Sequence, residues 1–256
     1  MRGGRGDSPI PMGNPVRGAL AARFVDPVLA VVFPSRCPAC GEPLTHPLSG
    51  PLCDSCWERL PRHSTPLCGC GFLLPPGLAA CGRCRRGLSP MSAGASLGPY
   101  EGSLRTLIHE LKYRGRRRLA ARLAQELLAN SPATALLAQD AVLVPVPLHP
   151  ARRRERGFNQ SELLALELGR RTGLQVAAAA LVRRKDTAPQ AGLTAAARRR
   201  NVAGAFAVRR RAQVAGRVVV LLDDVLTTGA TALACARMLR EAGATEVRFL
   251  AVARVA

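Results

Sequence analysis

Residues 218–231 read VVVLLDDVLTTGAT, and this stretch restricts the fold more than any other. Val218 to Leu222 is an unbroken apolar run, the pattern of a strand buried on both faces. It ends in two adjacent carboxylates, Asp223 and Asp224. Burying either one is costly unless a partner meets it. Thr227, Thr228, Gly229, Ala230 and Thr231 follow as a loop of small residues. The apolar spacing of 232–242 then predicts a helix closed by Gly243. Strand, acid pair, loop and helix in that order belong to an α/β layer.

A phosphoacceptor receiver domain does not fit. It carries its acid pair early and a further aspartate on a later strand, whereas no aspartate follows Asp224. Neither GxxxxGKS/T nor GxGxxG occurs, so two nucleotide-binding loops are excluded. A capped helix start, with Thr227 or Thr228 as the cap, explains the threonines and leaves both aspartates unemployed. The remaining reading uses every residue. Small residues let the backbone approach an anion, and N–H groups at the helix start with the threonine hydroxyls hold a phosphate. Carboxylates just upstream accept hydrogen bonds from vicinal hydroxyls, or face a magnesium-bound or positively charging sugar. The combination suits a ribose 5-phosphate.

Eight of the nine cysteines lie between Cys37 and Cys84. Cys37-x2-Cys40 and Cys53-x2-Cys56 have the spacing of a four-thiolate zinc site, with Gly41 suited to the knuckle turn. Disulfides are the alternative, disfavoured without an export signal. A second quartet, Cys68, Cys70, Cys81 and Cys84, begins with a tighter CxC. Four protein ligands leave no open position, so both sites read as structural: one zinc on the first quartet and a second on the other. Zinc ribbons also bind nucleic acid or protein, and the sequence does not choose among these.

The net charge of +20 welcomes anionic partners. It is carried almost wholly by arginine, since only Lys112 and Lys185 are lysines, so it does not say which anion. Aromatic residues, at 4%, are too few for a row of base-stacking platforms. No run reaches the roughly 18 apolar residues of a membrane span, and a cytoplasmic location is expected. Residues 1–17 are expected to form a disordered tail, 18–90 a helix and Cys-rich module, and 91–256 an α/β domain. Within the last, helices are predicted at Leu104–Tyr113 and Leu119–Leu128, and a buried strand at 141–147. A capping-box helix opens at Asn159–Glu162 and runs to about Arg171, closed by Gly173. Further strands are predicted at Leu174–Val182 and Val247–Val252. All-apolar strands alternating with helices predict a mainly parallel sheet covered on both faces. His109 falls on an otherwise apolar helix face, and Cys235 reads as a buried helix residue.

Read whole, VVVLLDDVLTTGAT resembles the PRPP-binding motif of type I phosphoribosyltransferases. With LVPVPLHPARRRERGFNQSELLA (143–165), RRKDTAPQAGLTAAARRRNVAGAF (183–206) and the cysteine quartets, it resembles the ComF-like family of competence-associated phosphoribosyltransferase proteins over about residues 30–254. The CxC at 68–70 departs from the family's usual CxxC. The resemblance implies a type I phosphoribosyltransferase fold preceded by a zinc-ribbon module, and PRPP with Mg²⁺ as ligand. Val225, Leu226 and Thr227–Thr231 would bind phosphate, with Asp223 and Asp224 on the ribose. Val146, Pro147, Leu148 and His149, with Arg152 close behind, would form the pyrophosphate loop. A mobile loop at 184–201 would bring Lys185, Gln190, Arg198 and Asn201 to the substrate, Lys185 acting on the leaving diphosphate. Asn159 is a further ligand candidate. Two functions stay open: a pentosyl transferase with an unidentified acceptor, or a non-catalytic nucleotide- or single-stranded-DNA-binding accessory of DNA uptake, working with competence proteins. Dimer formation is compatible with either.

Overall fold

The computed structural model describes residues 35–45, 50–74, 77–185, 197 and 202–255. The expected tail and N-terminal helix, and the loop candidates Gln190, Arg198 and Asn201, lie outside the described residues. The chain divides into two compact units, 1–54 and 55–256. In the first, the described backbone is a knuckle. Gly41 turns it with φ of 80°, a conformation that costs glycine nothing. Its N–H donates to the Cys37 carbonyl, and the Cys37 N–H to the Glu42 carbonyl, both at 2.8 Å.

Two short helices, α1 (Asp54–Glu58) and α2 (Gly82–Arg85), precede a parallel sheet. Its strands are β1 (Ala93–Pro99), β2 (Val142–Pro145), β3 (Gln175–Val176), β6 (Val218–Leu226) and β7 (Glu246–Arg254), in the order β1-β7-β6-β2-β3. A separate antiparallel pair joins β4 (Leu181–Arg183) to β5 (Phe206–Val208). The helices around the sheet are α3 (Gly102–Tyr113), α4 (Leu119–Leu128), α5 (Ser131–Thr134), α6 (Pro150–Arg156), α7 (Gln160–Thr172) and α8 (Ala230–Glu241).

Strand alternation sets the layers. Val219 and Leu221 share a core with Val144, Phe249, Ala251 and with Leu233, Ala236, Cys235 and Leu239 of α8. Val220 and Leu222 point the other way, the side on which Leu143 meets α7. There Gly169 allows close approach, since a Cβ on it would lie 2.5 Å from the Val176 side chain and 2.9 Å from the Leu174 carbonyl. Helices on both faces account for strands that are apolar on both.

Several expectations shift. The strand predicted at Val218–Leu222 continues to Leu226, because β7 carries the ladder on: Asp223 pairs with Ala251 and Leu226 with Arg254. Both aspartates are therefore inside the strand. Helix α8 starts at Ala230, so Ala230 and Thr231 are its first turn rather than loop. The single strand expected at Leu174–Val182 is broken by a turn in which the Ala180 N–H reaches the Ala177 carbonyl, giving β3 and β4 to different sheets. His109 is exposed, its ring 4.8 Å from that of Tyr113. Cys235 is fully buried. Among the described residues no helix is long and apolar enough to cross a membrane.

Candidate functional site

The carboxyl ends of parallel strands, where connections diverge to opposite faces, leave a crevice. Here it is a cavity of about 280 Å³ walled by Asp223, Asp224, Val225 and Leu226 of β6, by Thr227 and Gly229, and by Thr231 of α8. The β2–α6 connection supplies Val146, Pro147, Leu148 and, from α6, Arg152. Those residues from separate sequence motifs thus meet at one place. Thr228, Ala230 and Lys185 are not on this wall. The Thr228 hydroxyl is buried without a hydrogen-bond partner. Lys185 is exposed and its ammonium donates to the Ala203 carbonyl at 3.4 Å. The cation that reaches the cavity from β4 is Arg183.

The loop begins α8 without a side-chain cap. Gly229 is its N-cap, with φ of 74°. The first-turn N–H groups of a helix have no intrahelical acceptor, and the helix start here borders the cavity, which Thr227, Gly229 and Thr231 line.

The two aspartates have opposite surroundings, as alternation along a strand requires. Asp224 is buried and ion-paired with Lys112 of α3. Its other oxygen accepts from the Gln160 amide at 3.1 Å. Asp223 is half-buried, and its Oδ1 accepts from the Ser161 hydroxyl at 3.0 Å and the Asp224 N–H at 2.9 Å. Burial, reinforced by the Asp224 charge, pushes the Asp223 carboxyl up to about 8. Burial alone would also raise Asp224. The Lys112 ammonium and the hydrogen bonds from Lys112 and Gln160 outweigh it and hold Asp224 below its ordinary value. The opposite directions make Asp224 the charged member, matched by Lys112, and Asp223 the member that resists ionisation. Asp223 is the member left for a ligand.

Helix α7 is the frame for this arrangement. Asn159 caps it, its side-chain oxygen accepting from the Ser161 N–H at 3.1 Å, while its amide donates to the Val146 carbonyl at 3.0 Å. One buried side chain thereby ties the helix start to the β2–α6 connection. The expected capping box is incomplete, since Glu162 pairs with Arg153 at 2.9 Å. Gln160 bridges the site, accepting from Arg156 at 2.6 Å and donating to Asp224.

Both cysteine quartets gather. In each, the four sulfurs lie within 4.8 Å of one another. Cys40 and Cys53 are separated by 3.6 Å and Cys70 and Cys81 by 3.7 Å. These are edges of a tetrahedron with metal–sulfur bonds of about 2.3 Å, and far longer than a sulfur–sulfur bond of about 2.05 Å. Burial works against the Cys68 thiolate, but N–H groups of Cys81 and Cys70 stabilise it and bring the thiol down to about 6. Four cysteine sulfurs at tetrahedral separations fit structural zinc, and the CxC spacing does not prevent it.

The double zinc ribbon domain family matches residues 28–85, and the phosphoribosyl transferase domain family matches 155–256. The DNA utilization protein YhgH of Escherichia coli O157:H7 is 35% identical over 229 residues, spanning 88% of this chain and 99% of that protein. The chain belongs to the ComF-like family. Competence protein F of Haemophilus influenzae, another relative, is 32% identical over 87% of this chain and 98% of its own length. Among solved structures, the allosteric regulatory enzyme of purine biosynthesis aligns at 25% identity with a TM-score of 0.35, covering 52% of this chain and a quarter of its own.

Within this ComF-like chain, Lys112 lies outside the sequence motifs, and Gln160 and Ser161 lie inside them as helix-start residues with no site role apparent from the sequence. Lys112 did leave a trace. Lysine survives at only two positions in a chain that otherwise uses arginine, and a compact ammonium reaches a buried carboxylate that a planar guanidinium would not fit in the same way.

Proposed function

We propose that this protein binds PRPP with Mg²⁺ through the ribose 5-phosphate site at 223–231, and that it does so in the service of DNA uptake. The carrying observation is one cavity that joins a carboxylate pair, an uncapped helix start and the β2–α6 connection. In this reading the 5-phosphate lies on Thr227–Thr231, with Val225 and Leu226 beneath, and Asp223 receives the ribose hydroxyls. Asp224 acts with Lys112 to fix the position of that wall. Val146, Pro147, Leu148 and Arg152 meet the diphosphate, for which guanidinium forks are well shaped. Magnesium would neutralise diphosphate charge, and the half-buried, proton-retaining Asp223 is the carboxylate that a cation would release from its proton. Positive charge developing at the ribose C1 would be met by this carboxylate, with positioning and electrostatics carrying the rate. Lys185 would act on the leaving diphosphate. We keep the functional division near residue 90, since β1 at Ala93 is the first strand of the ligand-bearing sheet.

Calorimetric titration with Mg·PRPP tests this. Binding by the wild type, lost in Asp223→Asn/Asp224→Asn, is the expected result, and absence of binding by the wild type removes the proposal. Diphosphate release with a panel of bases and amines then separates transferase from binder. Arg152, Arg156 and Arg183 all line the cavity, which favours a second reading, a non-catalytic accessory that holds a nucleotide or single-stranded DNA. Its affinity for single strands would fall steeply with salt.

A further inference from the structure

Phe72 belongs to two clusters at once. It packs against the cysteines 68, 70, 81 and 84, and against the main core that contains β6 and α8. Its ring lies directly on Gly229, where a Cβ would be 2.3 Å from the ring's Cζ and 2.6 Å from Cε1. Gly229 is the N-cap of α8 and the centre of the Thr227–Thr231 loop. The same ring carries the Arg254 guanidinium, 5.0 Å from the centroid.

The mount for this ring is stiff. The knuckle closes on itself through the Cys68 N–H to the Phe72 carbonyl and the Gly71 N–H to the Cys68 carbonyl, both at 2.7 Å. It then joins β1, the Gly94 N–H donating to the Gly69 carbonyl at 2.7 Å. A Cβ on Gly94 would sit 2.6 Å from the Cys70 carbonyl oxygen, so the two backbones touch. Arg254, buried at the end of β7, donates to the Gly71 carbonyl at 2.6 Å. Arg254 stands opposite Leu226 in the ladder, so the same residue grips the knuckle and flanks the strand that feeds the loop. Four thiolates around a zinc carry net negative charge, which a buried guanidinium beside them offsets.

We propose that the second cysteine knuckle is a positioning element of the anion loop: zinc-held Cys68 and Cys70 fix Phe72, and Phe72 with Arg254 fixes Gly229 and the helix start behind it. The proposal rests on reading 227–231 as the anion cradle. It assigns the second quartet a task in ligand affinity beyond holding its own fold, with loss of its metal felt at the phosphate.

The test compares the full-length, zinc-loaded wild type with Phe72→Ala and Phe72→Leu. Amide exchange over 227–232 is read without ligand, and Mg·PRPP affinity by calorimetry. Phe72→Ala is expected to speed exchange there by about tenfold or more, with exchange at Val219–Leu222 and zinc content unchanged. Affinity should fall by about tenfold to a hundredfold. Phe72→Leu, which refills most of the volume, should restore exchange to within about threefold of wild type but not fully. Wild-type exchange at 227–232 in Phe72→Ala overturns the proposal. If Phe72→Ala does not fold, Phe72→Leu decides in the same way, since exchange equal to wild type overturns it. A wild type that binds no Mg·PRPP defeats the functional reading instead, and the exchange comparison still judges the brace.

Discussion

The two cysteine quartets share a chemistry and differ in setting. The first has regular CxxC spacing, yet Cys40 is exposed and Cys53 and Cys56 are half-buried. The second has the irregular CxC, and Cys68, Cys70 and Cys81 are all buried. Spacing describes how readily a chain can surround a metal. It is silent about what else the knuckle holds. In the second quartet the shortened turn brings the Gly69 carbonyl to Gly94 and places Phe72 two residues after Cys70. The neighbouring aspartates repeat this lesson, one committed to Lys112 and the other to the cavity.

Serine substitutions break or sharpen the comparison most directly. Cys70→Ser is expected to cost at least about 4 kcal/mol, and Cys40→Ser about 1–2 kcal/mol, by denaturant unfolding with zinc analysis. Equal losses would mean that burial of the second quartet has no consequence. For the aspartates, Lys112→Met strands a buried charge and should cost about 3–5 kcal/mol. On an Asp224→Asn background the same change should cost far less, and a double-mutant cycle measures the difference. Gly229→Ala drives a methyl into the Phe72 ring at positive φ, and about 1–3 kcal/mol is expected from thermal melting.

The last comparison concerns pH. Folded Asp223 keeps its proton up to about 8, while an unfolded aspartate releases it near pH ~4. Between those values only the folded state holds the proton, so stability falls as pH rises. Asp224 works in the opposite sense, its contribution lost only as pH falls through its lowered value. Asp223→Asn should therefore flatten the decline across neutral pH, and an unchanged slope would reassign the buried proton.

Much of this was legible. The apolar run before Asp223, the helix bounded by Asn159 and Gly173, and the quartets all carry local signals with a local cause. Strand β1 was not, because AGASLGP lacks β-branched and aromatic residues. It is made small by close approach: a Cβ on Gly98 would lie 1.9 Å from the Pro61 carbonyl oxygen. Such tightness is a property of the partner segment and leaves no period in the strand. Lys112 was hidden for a related reason. A lysine on an amphipathic helix reads as solvent-facing, and only the fold brings Asp224 beneath it. Gln160 and Ser161 read as helix-start residues, which they are, and their reach to the carboxylates depends on where Asn159 docks the helix.

The sheet order has a consequence for how the molecule is made. Within the five-stranded sheet β1 is an edge strand whose neighbour is β7, Ala93 standing opposite Arg248, and β7 also closes against β6. The strand synthesised first in the sheet must wait for the one synthesised last. Until then β1 and β6 each present an open edge, and the contacts that close them span most of the domain. Such long-range parallel pairing is slow and exposed. Closure of the sheet should therefore be a late event in folding, with β1 protected from amide exchange only once β7 has docked.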